Sequence, residues 1–162
     1  MLDNHLFLVY VFSNILTICT GNICRSPLAE AMLRVLLGGT AARSATLVRS
    51  AGTSALVGRP ADATVQAIAA IDPALQSVLN LHRALQVHPA LTREADLILV
   101  MEPSHLQYVL RIDSTARGKT FLLGHWVGIT SVGDPYMQHE SVYREMHRQI
   151  EKAVSAWYDK LR

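Results

Sequence analysis

Apolar positions along this chain fall into two rhythms. Four short, nearly continuous runs have strand length, over Asn14–Cys19, 45–50, 96–101 and 119–123. The run at 96–101 is almost wholly apolar, which marks a strand covered on both faces. Between these runs, apolar residues recur every three or four positions. Leu28, Met32, Val35 and Leu36 predict a first helix over 26–37, with Ser26 as N-cap, Pro27 at the first helical position and Gly38-Gly39 at the end. Asp62 predicts the cap of a second helix, which Asp72-Pro73 breaks, and short helices are expected over 75–81 and 104–112. Val142, Met146, Ile150, Val154, Trp157 and Leu161 form one seam of a last helix over 141–161, a stripe that predicts core packing. Residues 124–138 read as a loop with three glycines, long for a compact domain.

Strands that alternate with helices predict an α/β domain whose parallel sheet is covered by helices on both faces. Right-handed crossovers then bring the loop after the first strand to the carboxyl edge of the sheet, where such folds bind ligands. Residues 1–13 fit this pattern poorly. The apolar run at 6–12 is too short to span a bilayer and lacks the basic flank of a signal peptide. We read 1–13 as an N-terminal extension, either disordered or an irregular addition, or as the product of a start placed upstream of one near Val11. The domain proper is expected over 14–162.

Composition narrows the function. A chain of 162 residues suggests one domain, and 50% hydrophobic with 17% charged residues is globular usage. A net charge of +2 supplies no basic stripe, so nucleic acid is not an expected partner. The two cysteines, Cys19 and Cys24, lie five apart in one loop, which suits a cytosolic, reactive pair rather than a disulfide framework. The seven histidines show no metal-ligand spacing, and neither a metal nor an organic cofactor is expected.

The chemistry concentrates in Cys19-Thr-Gly-Asn-Ile-Cys-Arg-Ser-Pro27, a Cys-x5-Arg loop between the first strand and the first helix. A loop closing onto a helix N-terminus turns backbone N–H groups inward and adds the dipole's partial positive charge, a cradle suited to a phosphate dianion. Arg25 can offer a planar fork to two phosphate oxygens. Cys19 would face the phosphorus as a thiolate nucleophile. The bland alternative is a structural loop with two buried cysteines; a Walker A loop is excluded by the missing Gly-x4-Gly-Lys pattern. Expelling a poor leaving oxygen from phosphorus needs an acid, and Asp134 in the long loop is a candidate, with an ordinary Asp-Pro turn as the alternative.

Together with Asp134-Pro135-Tyr136, the loop resembles the low-molecular-weight protein-tyrosine phosphatases, and the resemblance runs from about Asn14 to the C-terminus. It implies a three-layer α/β fold whose four-stranded parallel sheet has the order 2-1-3-4. It implies Cys19, Arg25 and Asp134 as catalytic residues and Thr20, Gly21, Asn22, Ile23 and Cys24 as the phosphate cradle. Tyr136 and Leu56 become pocket walls. Asn22, Ser26, Ser50 and His82 become a hydrogen-bonded support. Leu85 departs from the pattern, which commonly has arginine there. Leu56 and Leu122-Leu-Gly-His-Trp126 resemble the bacterial phosphatases paired with tyrosine autokinases of exopolysaccharide export. The resemblance thus implies a cytoplasmic monomer or weak dimer, without membrane insertion, whose partner is a phosphotyrosine protein such as an autokinase tail. The alternatives are an arsenate reductase, whose thioredoxin-coupled version needs cysteines beyond Cys24, and a protein-arginine phosphatase, which carries threonine where this chain has Ile23. A non-catalytic phosphate-binding scaffold is the remaining class, against which the intact Cys19, Arg25 and Asp134 argue.

Overall fold

The computed structural model describes residues 12–38 and 46–161. Four strands, β1 (Asn14–Cys19), β2 (Leu47–Gly52), β3 (Leu97–Val100) and β4 (Thr120–Leu122), form one parallel sheet in the order β2-β1-β3-β4. Among the described residues, six α-helices connect and cover them: α1 (Arg25–Gly38), α2 (Ala63–Ala69), α3 (Pro73–Leu81), α4 (Pro89–Glu94), α5 (Pro103–Ile112) and α6 (Glu140–Leu161). Short 3-10 turns occupy Ser114–Lys119 and His125–Val127.

The alternation of side chains across the strands separates two cores. Ile15, Cys19, Val48, Leu97 and Leu99 face one side, packed against Leu28 and Leu33 of α1, Leu79 of α3 and Ile150 and Trp157 of α6. Leu16, Ile18, Ala51, Ile98 and Val100 face the other, packed against Leu91 of α4 and Val109 of α5. The apolar continuity of Leu97–Val100 has this cause, because all four side chains are buried although they point alternately up and down. The register places Cys19 opposite Gly52 and Ile18 opposite Val100, so β1, β2 and β3 finish along one edge.

Several boundaries differ from the sequence reading, for identifiable reasons. The first helix begins at Arg25, so Ser26 lies inside it rather than capping it, and its hydroxyl serves Cys19 instead. The second strand extends through Ala51 and Gly52, because Gly52 gains partners across the chain: its N–H donates to Leu85 O and its carbonyl accepts from Val87 N–H. Asp72 does more than end α2. Its carboxylate accepts from Ala74 and Leu75 N–H and caps α3, with Pro73 in the first turn. Helix α4 has no counterpart in the sequence pattern, since six residues are too few to show a period. In α6 the seam turns by one residue: Val142 is exposed, whereas Tyr143 is buried and its hydroxyl donates to Asp62 Oδ2. The start of the second strand at Ala45, the helix end at Gly39 and the extension up to Val11 lie outside the described residues. Phe12 packs partly against the larger core, and Ser13 O accepts from Leu47 N–H.

Candidate active site

The loop after β1 is shaped by where its carbonyls go. Cys19 O accepts from Thr53 N–H, Thr20 O from Ser54 N–H, Gly21 O from Leu56 N–H and Ile23 O from Asp62 N–H, at 2.8–3.0 Å. Asn22 O receives His82 Nε2 at 2.7 Å. Five consecutive carbonyls are therefore tied to donors outside the loop. A trans peptide points its N–H opposite to its C=O, so the N–H groups of residues 20–24 turn inward, around Cys19. Asn22 completes the curl in the left-handed region, with φ 56°.

The residues expected to support this loop are brought together in a continuous chain of hydrogen bonds. Asn22 is fully buried and every polar atom of its side chain is engaged. Its Nδ2 donates to Ser26 Oγ and to Ser50 Oγ, each at 2.9 Å, and its Oδ1 accepts from Leu85 N–H at 2.7 Å. Ser50 Oγ donates in turn to Glu30 Oε2, and Glu30 pairs with Arg34 at 2.7 Å. Ser26 Oγ lies 2.9 Å from Cys19 Sγ. Either atom can donate in that pair; to a thiolate, which only accepts, Ser26 would donate, since Asn22 Nδ2 already fills one lone pair of its hydroxyl. A carbonyl can only accept, so His82 is protonated on Nε2; burial lowers its pKa and keeps the ring neutral. Ser50 and His82 thus hold the loop from behind. Leu85 contributes its backbone to Asn22, while its side chain is partly exposed at a second cavity beside Val78 and Arg83.

Arg25 is 1% exposed, and its fork is largely taken by protein groups. Nη1 donates to Glu102 Oε1 at 3.1 Å and to Val132 O at 3.0 Å. Nη2 pairs with Asp134 Oδ2 at 3.1 Å and lies 3.4 Å from Thr20 Oγ1. The Asp134 carboxylate also accepts from Tyr136 N–H at 3.2 Å, the short turn expected of Asp-Pro. These groups frame a cavity of about 190 Å³ lined by Cys19, Thr20, Gly21, Ile23, Cys24, Arg25, Ser54, Leu56, Asp134 and Tyr136. The nucleophile and acid candidates, the arginine, the loop and both proposed walls meet in one place. Cys24 is held as a thiol: burial, then the charge of Asp62, raises its pKa.

Four contributors escape the sequence reading. Glu102 sits just past the carboxyl end of β3, the edge where ligands bind, which is a usable signal. His105, one turn into α5, carries no signal. Ser54 follows from the exit of β2. Gly52 gives the fourth: a Cβ there would lie 2.3 Å from Thr20 O, so only glycine lets β2 approach the loop. Among the described residues, no three of His, Cys, Asp and Glu converge to hold a metal ion, and no helix is long and apolar enough to cross a membrane.

Comparison with known proteins places this geometry in context. A family model described as low molecular weight phosphotyrosine protein phosphatase matches residues 14–162. The low molecular weight protein-tyrosine-phosphatase Etp of Escherichia coli K12 is 37% identical over 150 residues, covering 93% of this chain and 95% of that protein. The tyrosine phosphatase Wzb of Escherichia coli K30, solved with sulphate, superposes with a TM-score of 0.83 at 40% identity, covering 94% of this chain and 100% of that one. The YwlE arginine phosphatase of Geobacillus stearothermophilus superposes with a TM-score of 0.78 at 28% identity, covering 92% of each.

Proposed function

Because the chain belongs to the low molecular weight phosphotyrosine protein phosphatases, and is by that membership a phosphatase, we propose that it hydrolyses protein phosphotyrosine through a cysteinyl-phosphate. The observation that carries the reading is the ring of inward N–H groups around Cys19, produced by five carbonyls tied outward. In the first step the Cys19 sulfur attacks phosphorus, the bond from phosphorus to the phenolic oxygen breaks, and Asp134 gives that oxygen a proton. In the second, Asp134 takes a proton from water, the water oxygen attacks phosphorus, and the thiolate leaves as inorganic phosphate forms. Ser26 stabilises the thiolate at both ends of the cycle by donating to it. The inward amides and Arg25 hold the equatorial oxygens throughout, a fixed field that needs no reorganisation. A dianion entering the cavity competes for Arg25 Nη2 and releases Asp134 toward the leaving oxygen, while Glu102 and Val132 O keep Nη1 anchored.

The ring specificity rests on Leu56, Ile23 and Tyr136, whose apolar surfaces suit the faces and edge of a phenyl group. A guanidino group in the same place would leave N–H donors against Ile23, which argues for phosphotyrosine over the phosphoarginine chemistry of the YwlE relative. Cys24, the only other cysteine in the sequence, lies in the same loop, so no thiol outside it can carry a disulfide away as thioredoxin-coupled arsenate reduction requires. For the physiological substrate we infer a flexible, cytoplasmic tyrosine tail of a bacterial autokinase governing exopolysaccharide export, supported by Leu56 in place of an aromatic wall and by the likeness to Wzb. Cys19→Ser should abolish turnover of p-nitrophenyl phosphate while phosphate still binds; activity above about a hundredth of wild type would sink the covalent mechanism, because the substituted hydroxyl has no matched base. The same variant used as a trap should retain the phosphorylated tail, and indifference to phosphorylation would remove that substrate.

A further inference from the structure

His105 is 2% exposed, and its Nδ1 is the one buried side-chain N or O atom without a hydrogen-bond partner among the described residues. Its Nε2 faces two oxygens, Thr20 Oγ1 at 2.9 Å and Glu102 Oε1 at 3.3 Å. The ring has two neutral forms. A proton on Nδ1 would bury an unpaired N–H and set the Nε2 lone pair against a carboxylate. A proton on Nε2 serves both oxygens and leaves only a lone pair unmatched at Nδ1, the cheaper defect. The second form is therefore assigned from the hydrogen-bond partners.

That assignment fixes the polarity of Thr20. Its Oγ1 accepts from His105 Nε2–H, and more weakly from Arg25 Nη2 at 3.4 Å. With its lone pairs engaged, the hydroxyl keeps its proton to donate, and Thr20 lines the cavity with Cys19 and Arg25. We propose that the Thr20 hydroxyl is a hydrogen-bond donor to the oxyanion held in the loop, and that His105, oriented by Glu102, is the positioning residue that aims it. This rests on the phosphatase reading and adds to the amide cradle a side-chain donor set by a residue 85 positions away. Burial, with the charge of Arg25, lowers the His105 pKa to about 4, so the ring stays neutral and keeps one fixed donor at the pH where such chemistry runs.

The test pairs Thr20→Val, which removes the hydroxyl and keeps the shape, with His105→Leu and His105→Gln. Inorganic phosphate affinity is read by calorimetry, and kcat and KM on p-nitrophenyl phosphate are read separately. Thr20→Val and His105→Leu should each weaken phosphate about tenfold, the usual effect of one hydrogen bond to a charged group. His105→Gln, which keeps an N–H donor, should recover most of it. The Thr20→Val/His105→Leu double variant should be no weaker than Thr20→Val alone. Phosphate affinity within about twofold of wild type in either single variant, or effects that multiply in the double, would overturn the proposal. Should His105→Leu fail to fold, nitrogen-15 shifts of the wild-type His105 ring decide: protonation at Nδ1 refutes it. A folded wild type without phosphatase turnover refutes the functional reading instead, and the phosphate titrations still judge this one.

Discussion

Asn22→Ala should be the most damaging single change in the support behind the loop. Alanine removes two donors and one acceptor at once, and leaves Leu85 N–H and the hydroxyls of Ser26 and Ser50 without their buried partner. Each such loss costs about 1 kcal/mol, more where the orphaned group cannot reach water. Alanine at φ 56° adds about 1 kcal/mol of backbone strain that asparagine tolerates better. The sum is about 4 kcal/mol, a large part of the ~5–15 kcal/mol that holds a domain together. For a chain of this size that lowers Tm by roughly 8–16 °C. Asn22→Gly loses the same hydrogen bonds but relaxes at positive φ, so it should be the more stable of the two by about 1 kcal/mol. Urea unfolding with a shared m-value measures both. A loss under about 1 kcal/mol for Asn22→Ala would show that the network carries little energy, and glycine no better than alanine would dismiss the backbone contribution.

Four other changes probe separate parts of the site. Asp134→Asn should slow phosphotyrosine about a hundredfold and p-nitrophenyl phosphate far less, since only the poorer leaving group needs the proton; equal losses in steady-state kinetics would contradict the acid role. Gly52→Ala should lower both Tm and phosphate affinity, because its Cβ would press on Thr20 O; wild-type behaviour in both assays would refute the contact. Ile23→Thr should shift the kcat/KM ratio toward phosphoarginine from a wild-type preference for phosphotyrosine of at least about tenfold, read on one peptide carrying either group. Between pH 6.5 and about 4 the unfolded chain binds a proton at His105 that the folded chain does not, so stability present above pH 6.5 is lost as pH falls through that window. Denaturant titrations across it should show this slope, and His105→Leu should flatten it, with His82 and His147, lowered by burial, leaving a remainder.

How much of this is legible in the chain depends on distance along it. The loop is readable because strand, cysteine, glycine, arginine and helix start are contiguous, and short-range rules govern them. Asp134 and Tyr136 are readable only by resemblance, since nothing local separates a catalytic Asp-Pro from a turn. Glu102 and His105 meet Arg25 and Thr20 through the pairing of β1 with β3, a register no local pattern states. Gly52 matters because of a carbonyl 32 residues away. Ser26 reads as a cap because a serine before a proline at a helix start satisfies the capping rule, while the thiol seven residues earlier claims the hydroxyl. Tyr143 displaces Val142 because Asp62, from another element, gives its hydroxyl a partner.

The outward-tied carbonyls have a consequence for transplantation. Their donors come from three places in the chain: the exit of β2 at Thr53, Ser54 and Leu56, the cap at Asp62, and the imidazole of His82. The nine-residue motif contains none of them. Grafted alone between a strand and a helix of a foreign scaffold, it would let its carbonyls rotate inward and repel the anion it is proposed to hold. The portable unit is the motif together with its clamp, the whole run from β1 to His82, and a search for unrecognised members of this chemistry gains discrimination by demanding the glycine, the aspartate and the histidine as well as the cysteine and arginine.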